Sequence, residues 1–287
     1  MTVNARFLRS LLFVPANSPR LFAKAAQRGA DALILDLEDA VPADQKHDAR
    51  ANLSAAIDAF GSEVPVFVRV NPEPELLRQD IAALPMASIA GIMLPKVETA
   101  IQVQEVAEQL SLAPNAVAQT PIIPLIESPL AVVRLESIAT AHPSIVALGF
   151  GGEDYAAAMG VAPDAEGLIW AAHAVTNAAH AFGLAAWGLP GSVAVISDTD
   201  AYTSLVTRAR SIGFTGTVCI HPAQIALANK GFGPTEAELK WAQAVVTAGE
   251  QASAKGLGAA IVNGQMIDKP IIERARQWLA LRDRDSA

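Results

Sequence analysis

The sequence predicts an α/β fold in which eight parallel strands alternate with helices. Short apolar runs recur up to about residue 230, and alanine-rich helical segments separate them. Most of the runs are continuously apolar, which is typical of parallel strands that are buried on both faces. Because eight strand–helix units close a parallel sheet on itself, we expect a (β/α)8 TIM barrel.

The predicted strands follow these apolar runs in order. They span residues 11–14, 32–37, 66–70, 91–94, 122–126, 145–148, 185–188 and 216–220. The seventh run, Ala-Ala-Trp-Gly, has the weakest strand propensity. Ser18-Pro19 and Ser128-Pro129 each place a capping hydroxyl before a proline at the first helical position, so both predict a helix start.

A separate segment is predicted after the barrel. Thr235 and Glu238 have the spacing of a capping box and indicate the start of a long helix. Asn263-Gly264 lies between two short apolar runs, which predicts a β-hairpin, and a last helix starts near Asp268. We therefore divide the chain into a barrel domain, 1–232, and a small C-terminal helical and hairpin segment, 233–287, as a candidate lid or oligomerisation segment.

Composition limits the function classes. The chain has 287 residues, of which 52% are hydrophobic and 17% charged, so it can bury a large core. Its net charge of -8 argues against general binding to nucleic acid or to anionic membranes. No run approaches the roughly 20 apolar residues that span a bilayer, and the first run is too short for a signal peptide. The single cysteine cannot form an internal disulfide, and we expect a cytoplasmic protein.

Polar residues fall where the predicted strands end. In barrel enzymes the carboxyl ends of the strands form the active site. These polar residues are Asp36, Glu38 and Asp39 at the end of the second strand, Arg69 and Asn71 at the third, Lys96 after the fourth, Glu127 after the fifth, Glu153 and Asp154 after the sixth, and His221 at the eighth.

Glu127 and Asp154 are candidate magnesium ligands. Mg²⁺ prefers one or two carboxylates together with waters and substrate oxygens. We also expect Glu127 to be a substrate-binding residue, because it lies at the barrel mouth. No adjacent histidine and cysteine residues suggest zinc. Two other interpretations stay open, because Glu127 could pair with a neighbouring cation and Asp154 could cap the helix that follows.

Arg69 is a candidate substrate-binding residue. Its planar guanidinium suits a carboxylate or a developing enolate oxygen. The alternative is a structural salt bridge with the acids that follow the second strand, Asp36, Glu38 and Asp39. Both roles are compatible, since those acids would orient the guanidinium toward a ligand.

A stripe of basic residues is predicted on the first helix. Arg20, Lys24 and Arg28 follow one another at intervals of four, so they would share one helical face and repel each other. A bound anion would relieve that repulsion, and a helix start near the barrel mouth suits a phosphate. A solvated face is the other interpretation.

These motifs, in this order, resemble the citrate lyase beta subunit-like proteins of the HpcH/HpaI aldolase and malyl-CoA/citramalyl-CoA lyase family. The resemblance covers nearly the whole chain. It rests on Arg9-Ser10-Leu11-Leu12-Phe13-Val14-Pro15, Asp36-Leu37-Glu38-Asp39-Ala40-Val41, Val68-Arg69-Val70-Asn71, Leu94-Pro95-Lys96, Ile126-Glu127-Ser128-Pro129, Gly152-Glu153-Asp154-Tyr155 and Asn263-Gly264-Gln265-Met266-Ile267-Asp268. The chain departs from the family at Ala16, where relatives usually carry glycine, and at Trp187, near which relatives often carry an acid.

The resemblance implies the ligands of the site. Mg²⁺, with Mn²⁺ as a substitute, would be held by Glu127 and Asp154, and Arg69 would contact the substrate. Coenzyme A is implied as part of the substrate, and Arg20 and Lys24 are then the candidates that bind it.

The resemblance also implies an assembly of three or six identical subunits. In malyl-CoA lyase-like relatives the C-terminal segment covers a neighbouring subunit's site and supplies a catalytic acid. The matching position here is Asp268. On the residues alone, Asp268 could instead cap the last helix.

The activity that the resemblance implies is magnesium-dependent cleavage of a 3-hydroxyacyl-CoA thioester to acetyl-CoA or propionyl-CoA and a 2-oxo acid. The acyl group can be of the citramalyl, malyl, methylmalyl or citryl type. The alternatives are a metal-dependent aldolase of free 2-keto-4-hydroxy acids, a malyl-CoA thioesterase or malate synthase-like enzyme, and a citrate lyase subunit that acts with an acyl-carrier partner.

Overall fold

Eight parallel strands form one sheet in the computed structural model, which describes residues 3–113, 115–163 and 166–285. The strands are β1 (Ser10–Pro15), β2 (Ala32–Asp36), β3 (Val66–Arg69), β4 (Gly91–Leu94), β5 (Ile122–Ile126), β6 (Ala147–Phe150), β7 (Ala185–Gly188) and β8 (Thr217–Cys219). Each strand pairs with the next from β1 to β7, and β8 pairs with β1. A parallel bridge between Trp187 and Gly216 nearly closes the barrel, so the predicted fold class is confirmed.

Helices follow the strands as the alternation predicts. In the barrel unit they are α1 (Phe22–Ala26), α2 (Lys46–Ala51), α3 (Leu53–Phe60), α4 (Pro74–Ala83), α5 (Ala100–Leu112), α6 (Pro129–Val133), α7 (Leu135–Ala139), α8 (Gly152–Met159), α9 (Gly167–Ala181), α10 (Thr199–Ser211) and α11 (Pro222–Phe232). Short 3-10 turns form at Ala5–Phe7, Pro19–Leu21 and Ala43–Gln45. Their apolar faces pack on the outside of the sheet.

The sixth strand lies two residues later than the sequence predicts. It spans Ala147–Phe150, and Ile145 makes only an isolated bridge to Ile122. A glycine lowers strand propensity, yet β6 runs through Gly149. A Cβ atom at Gly149 would clash with the Leu125 side chain on β5, so the close packing of these two strands requires glycine there.

One of the two predicted proline helix starts is confirmed. The Ser128 hydroxyl accepts a hydrogen bond from the Ala131 amide at 3.2 Å, and α6 begins at Pro129. Ser18 makes no such cap, and its hydroxyl instead donates to the Asn17 side chain at 3.3 Å. The turn that follows is a 3-10 turn rather than the first turn of an α-helix.

The predicted basic stripe is therefore wrong as a single helical face. Arg20 lies in the 3-10 turn Pro19–Leu21, Lys24 lies on the five-residue helix α1, and Arg28 follows the end of that helix. A 3-10 turn has three residues per turn rather than 3.6, so an interval of four no longer keeps side chains aligned. All three side chains are exposed to solvent.

The barrel interior is filled with apolar side chains below the strand ends. The rings of Phe67 and Trp187 meet edge to face, with their centroids 5.7 Å apart. The Trp187 indole N–H donates to the Ala5 carbonyl oxygen at 3.3 Å, which satisfies the buried polar group of that ring. The interior cluster also contains Leu11, Ile34, Met93, Ile123 and Leu125. Because this core leaves no pore, the strand ends are where the barrel can bind a ligand.

The chain divides into two compact units, Met1–Phe232 and Gly233–Ala287. The second unit contains α12 (Glu236–Ala254), β9 (Ala260–Val262), β10 (Gln265–Ile267) and α13 (Lys269–Asp285). Its predicted capping box is present between Thr235 and Glu238. Asn263 and Gly264 both have positive φ, 51° and 79°, as a two-residue hairpin turn requires. No helix among the described residues is both long and apolar enough to span a membrane.

Candidate active site

A cavity of about 270 Å³ opens over the carboxyl ends of the strands. The polar side chains that line it include Asp36, Arg69, Glu127 and Asp154, which come from β2, β3 and the segments after β5 and β6. Parallel strands bring their carboxyl ends to one edge, so residues far apart in the sequence meet here. The cavity therefore collects the acids and the arginine that the strand-end pattern singled out.

Arg69 is fixed by a bidentate ion pair with Asp36. The Arg69 Nε and Nη2 atoms donate to the two Asp36 oxygens at 2.7 and 2.6 Å. The two residues are direct neighbours in the β2–β3 register, and Asp36 is fully buried. The same carboxylate accepts hydrogen bonds from the amides of Glu38 and Ala40. These contacts raise the pKa of Arg69, although its burial alone would lower it.

Glu38 and Asp39 complete the surroundings of the guanidinium. Arg69 Nη1 lies 2.9 Å from one Glu38 oxygen and 3.8 Å from an oxygen of the exposed Asp39. The contact between Arg69 Nη1 and Glu38 Oε2 is not aligned as a hydrogen bond. The buried Oε2 atom of Glu38 therefore has no hydrogen-bond partner among the described residues. Burial raises the pKa of Glu38, whereas Arg69 and Lys96 act in the opposite direction. The ring of Phe13 covers the guanidinium at 4.6 Å.

Lys96 links two of the acids at the barrel mouth. Its ammonium donates to Glu38 at 2.7 Å, and its main-chain amide donates to Glu127 Oε2 at 2.7 Å. Lys96 has a φ of 54°, in the left-handed region, which costs a residue other than glycine on the order of 1 kcal/mol. That backbone conformation directs the amide toward Glu127 while the side chain reaches Glu38.

Glu127 is a buried carboxylate with a strongly shifted pKa. Burial, together with the nearby charges of Asp154 and Glu38, raises the pKa of Glu127 to about 7, although the hydrogen bond from the Lys96 amide and the charge of Arg69 act in the opposite direction. A Cβ atom on Gly151 would lie 2.5 Å from Glu127 Cγ, so this glycine leaves room for the glutamate. Glu127 is therefore held by a main-chain N–H rather than by a cationic side chain.

Asp154 lies in the first turn of α8 and is exposed at the cavity. This helix begins after Gly151. Glu153, the residue before Asp154, also lines the cavity, and its carboxylate accepts a hydrogen bond from the Ser192 hydroxyl. Negative side chains are favourable at a helix N-terminus, which stabilises both acids there. The Ser192 hydroxyl oxygen in turn accepts a hydrogen bond from the Ala194 amide at 3.0 Å.

Glu127 and Asp154 suit a divalent cation that keeps part of its water shell. The charge of Asp154 raises the electrostatic cost of ionising Glu127, and a cation between the two carboxylates would remove that cost. Within the described ranges, no group of three or more His, Cys, Asp or Glu residues could hold a metal ion. The protein would thus supply two carboxylates and leave the other positions to water and substrate, which fits Mg²⁺.

A buried glutamine fixes the opposite rim of the cavity. The Gln224 oxygen accepts from the amides of Ile220 and His221 at 2.8 and 3.1 Å. Its nitrogen donates to the carbonyls of Val193 and Val195 at 2.7 and 3.1 Å. Gln224 thereby joins the end of β8 to the loop after β7, and Ile220 and Val193 both line the cavity.

The structure brings together most of the predicted site residues, but not all of them. Arg20 and Lys24 are exposed and, within the part of the chain that the structure describes, do not line the cavity. Asp268 belongs to the second unit, where it directly precedes α13 and is half-buried. The remaining predicted residues lie at the barrel mouth: Asp36, Glu38, Asp39, Arg69, Glu127 and Asp154.

The sequence places Lys96 among the polar residues at strand ends but assigns no role to it, and it gives no role to Gln224. The contact of Lys96 with Glu127 depends on a positive φ that lysine does not favour by itself. Gln224 carries no sequence signal, since a glutamine in the first turn of a helix is ordinarily solvated.

The shifted pKa of Glu127 predicts a pH-dependent stability in metal-free protein. Between the ordinary value of 4.5 and about 7, the folded protein keeps a proton that the unfolded chain releases. The free energy of unfolding should therefore fall as pH rises through this window, by on the order of 3 kcal/mol at about 1.4 kcal/mol per pKa unit. Urea unfolding in EDTA at pH 5 and pH 8 measures this.

The matched variant is Glu127→Gln, which cannot ionise and should lose this component of the pH dependence. Glu75→Gln is the control, because Glu75 is exposed and its carboxylate accepts hydrogen bonds from Arg78 and Gln79 on its own helix. An unchanged pH profile in Glu127→Gln would contradict the assignment of the shifted pKa to this carboxylate.

Comparison with known proteins identifies the family. The family model described as HpcH/HpaI aldolase/citrate lyase matches residues 9–222. The chain is 35% identical to citrate lyase subunit beta of Leuconostoc mesenteroides subsp. cremoris, covering 97% of this chain and 94% of that protein. It is 32% identical to L-malyl-CoA/beta-methylmalyl-CoA lyase of Rhodobacter capsulatus, covering 94% of this chain and 93% of that protein.

A solved structure agrees with these relatives. The protein CitE from Mycobacterium tuberculosis, in complex with magnesium, acetoacetate and coenzyme A, superimposes with a TM-score of 0.75 and 32% sequence identity. The match covers 95% of this chain and 97% of that one. The resemblance that the motifs predict is thus confirmed, and the chain belongs to the HpcH/HpaI aldolase/citrate lyase family.

Proposed function

We propose that this protein is a magnesium-dependent carbon–carbon lyase that cleaves a 3-hydroxyacyl-CoA thioester to acetyl-CoA or propionyl-CoA and a 2-oxo acid. The observation that carries the proposal is the arrangement of two carboxylates, Glu127 and Asp154, in one cavity with an arginine that acids hold in place. The substrate class is supported by the names of the relatives, which include a malyl-CoA lyase and a structure with magnesium and coenzyme A.

Glu127 and Asp154 are the residues that would hold the ion. When bound there, Mg²⁺ supplies Lewis-acid polarisation of the substrate hydroxyl and its neighbouring carboxylate. The protein's own contribution is to fix the two carboxylates before binding. Glu127 is oriented by the Lys96 amide, and Asp154 by the first turn of α8.

Arg69 would stabilise the negative charge that develops as the carbon–carbon bond breaks. Because Asp36 already holds the guanidinium, little reorganisation is needed at that moment, and one such preorganised donor is worth about 3–4 kcal/mol, or 10²–10³ in rate. Asp36, Glu38 and Asp39 would act on the substrate through Arg69, which they hold in position. The buried pair also makes Arg69→Ala a poor probe, because it would leave Asp36 without its cation.

Arg20 and Lys24 are proposed to bind the phosphates of coenzyme A. They lie in the segment that follows β1, and Phe13 and Pro15 of that strand line the cavity. An extended ligand leaving the cavity on this side would pass these exposed cations. Exposed lysine and arginine side chains attract phosphate without needing a common helical face.

Asp268 is proposed to exchange the proton at the α-carbon of the thioester in the site of a neighbouring subunit. A half-buried carboxylate at the end of a hairpin suits such a proton transfer. This role requires the homotrimer or hexamer that the family resemblance implies.

The activity is tested with purified protein, Mg²⁺ and four thioesters: citramalyl-CoA, malyl-CoA, methylmalyl-CoA and citryl-CoA. We expect mass spectrometry to show acetyl-CoA or propionyl-CoA with the matching 2-oxo acid, and we expect EDTA to abolish both products. Asp154→Asn should lower kcat at least about 100-fold, whereas Glu75→Gln should not change it.

Other outcomes separate the alternatives. Release of free coenzyme A with an intact hydroxy acid would identify a thioesterase. Turnover of free 2-keto-4-hydroxy acids without any thioester would identify the aldolase. Activity only with added acyl-carrier protein would identify a subunit of a larger complex, and each of these results would contradict the proposal.

The role of Asp268 is tested by mixing two inactive variants. Asp154→Asn and Asp268→Asn should each lose most of kcat, but co-expressed chains should recover part of it. Recovery follows because some sites in a mixed oligomer take Asp154 from one subunit and Asp268 from the next. A mixture as inactive as its components, while light scattering still shows mixed oligomers, would exclude a role shared between subunits.

A further inference from the structure

The position of Asp154 depends on the first turn of α8. The helix starts after Gly151, which has no side chain to cap it, so the turn relies on contacts with its neighbours in the fold. One neighbour is the loop that joins β7 to α10, residues 189–198, which we call the β7–α10 loop. A Cβ atom at Gly152 would lie 3.2 Å from the Gly191 carbonyl oxygen, so loop and helix are in close contact.

Ser192 of the β7–α10 loop forms a hydrogen bond across this contact. Its hydroxyl donates to the carboxylate of Glu153, the residue before Asp154. The hydroxyl oxygen also accepts from the Ala194 amide at 3.0 Å, so the loop itself sets the direction in which the hydroxyl donates. The bond between Ser192 and Glu153 therefore ties the first turn of α8 to the loop.

The β7–α10 loop is in turn anchored by Gln224, which lies in the first turn of α11 and is 1% exposed. Its side-chain nitrogen donates to the carbonyls of Val193 and Val195 at 2.7 and 3.1 Å. These two carbonyls flank Ala194, whose amide binds the Ser192 hydroxyl. One buried amide group thus holds the three loop residues that direct the Ser192 side chain.

We infer that Ser192 and Gln224 are positioning residues for the ion that Glu127 and Asp154 are proposed to bind. The inference rests on the ion site of the proposed function and extends it to residues that do not touch the ion. Without the Ser192 hydroxyl, the first turn of α8 loses its hydrogen bond to the loop, and Asp154 is free to move away from Glu127. Removal of groups that orient metal ligands typically lowers metal affinity by about 10–100-fold.

The direct test measures Mn²⁺ affinity by electron paramagnetic resonance of the free ion, with protein and no substrate. Ser192→Ala should raise the Kd for Mn²⁺ at least about tenfold. Ser192→Thr keeps a hydroxyl at the same position and should recover most of the affinity. Ser197→Ala is the control, because it removes an exposed hydroxyl from the same loop and should leave Kd unchanged.

A double-mutant cycle shows whether Ser192 acts through Glu153. In the Glu153→Ala background the hydrogen bond is already absent, so Ser192→Ala should change the Kd for Mn²⁺ much less than it does in the wild type. Equal changes in both backgrounds would contradict the proposed route from the loop to α8.

Gln224→Glu tests the anchor of the loop. The glutamate keeps an oxygen that can accept from the amides of Ile220 and His221, but it lacks the amide nitrogen that binds Val193 and Val195. We expect the Kd for Mn²⁺ to rise about tenfold. The added negative charge would by itself attract the cation, so weaker binding has to come from the lost anchor. A lower melting temperature with an unchanged Kd would show a purely structural role and would overturn the inference for Gln224.

The outcomes distinguish this inference from the proposed function. An unchanged Kd in Ser192→Ala would overturn the inference and leave the lyase function standing. If no thioester is cleaved but Ser192→Ala still weakens Mn²⁺ binding, the proposed function fails and the inference holds. A wild-type protein that binds no Mn²⁺ would overturn both. Where cleavage occurs, the Mg²⁺ concentration for half-maximal rate should rise in Ser192→Ala by the same factor as the Kd.

Discussion

The bidentate ion pair between Arg69 and Asp36 is the interaction on which the site depends. It joins two residues that face each other across β2 and β3, at the carboxyl end of the barrel. Both side chains are largely buried, and removal of one partner from such a pair costs about 3–5 kcal/mol. Because Asp36 also accepts the amides of Glu38 and Ala40, one carboxylate fixes both the arginine and the turn after β2.

The electrostatics of the cavity depend on which carboxylates pair with Arg69 and Lys96. Arg69 is committed to Asp36 and Glu38, and the Lys96 ammonium to Glu38, so Glu127 is left with a main-chain N–H. Burial and the nearby charge of Asp154 therefore raise the pKa of Glu127. A divalent ion bound between Glu127 and Asp154 would remove the repulsion between the two carboxylates.

Sequence alone predicts the order of the strands and the acids at their ends, because apolar runs and strand-end polar residues are local patterns. It places Arg69, Glu127 and Asp154 in one cavity through the general rule for barrel strand ends. It fails at the first helix, where Ser18 does not cap and a 3-10 turn forms, and at β6, where packing against Leu125 requires Gly149 inside the strand. The contact between Lys96 and Glu127 depends on a backbone conformation set by the fold, which no residue pattern displays.

The most direct test of this account is a crystal structure of the protein soaked with Mn²⁺ and pyruvate, in which anomalous scattering locates the metal. The account predicts one ion in the cavity that contacts both Glu127 and Asp154, with Arg69 still hydrogen-bonded to Asp36. Metal bound instead among Asp36, Glu38 and Asp39, or an Arg69 released from Asp36, would contradict it.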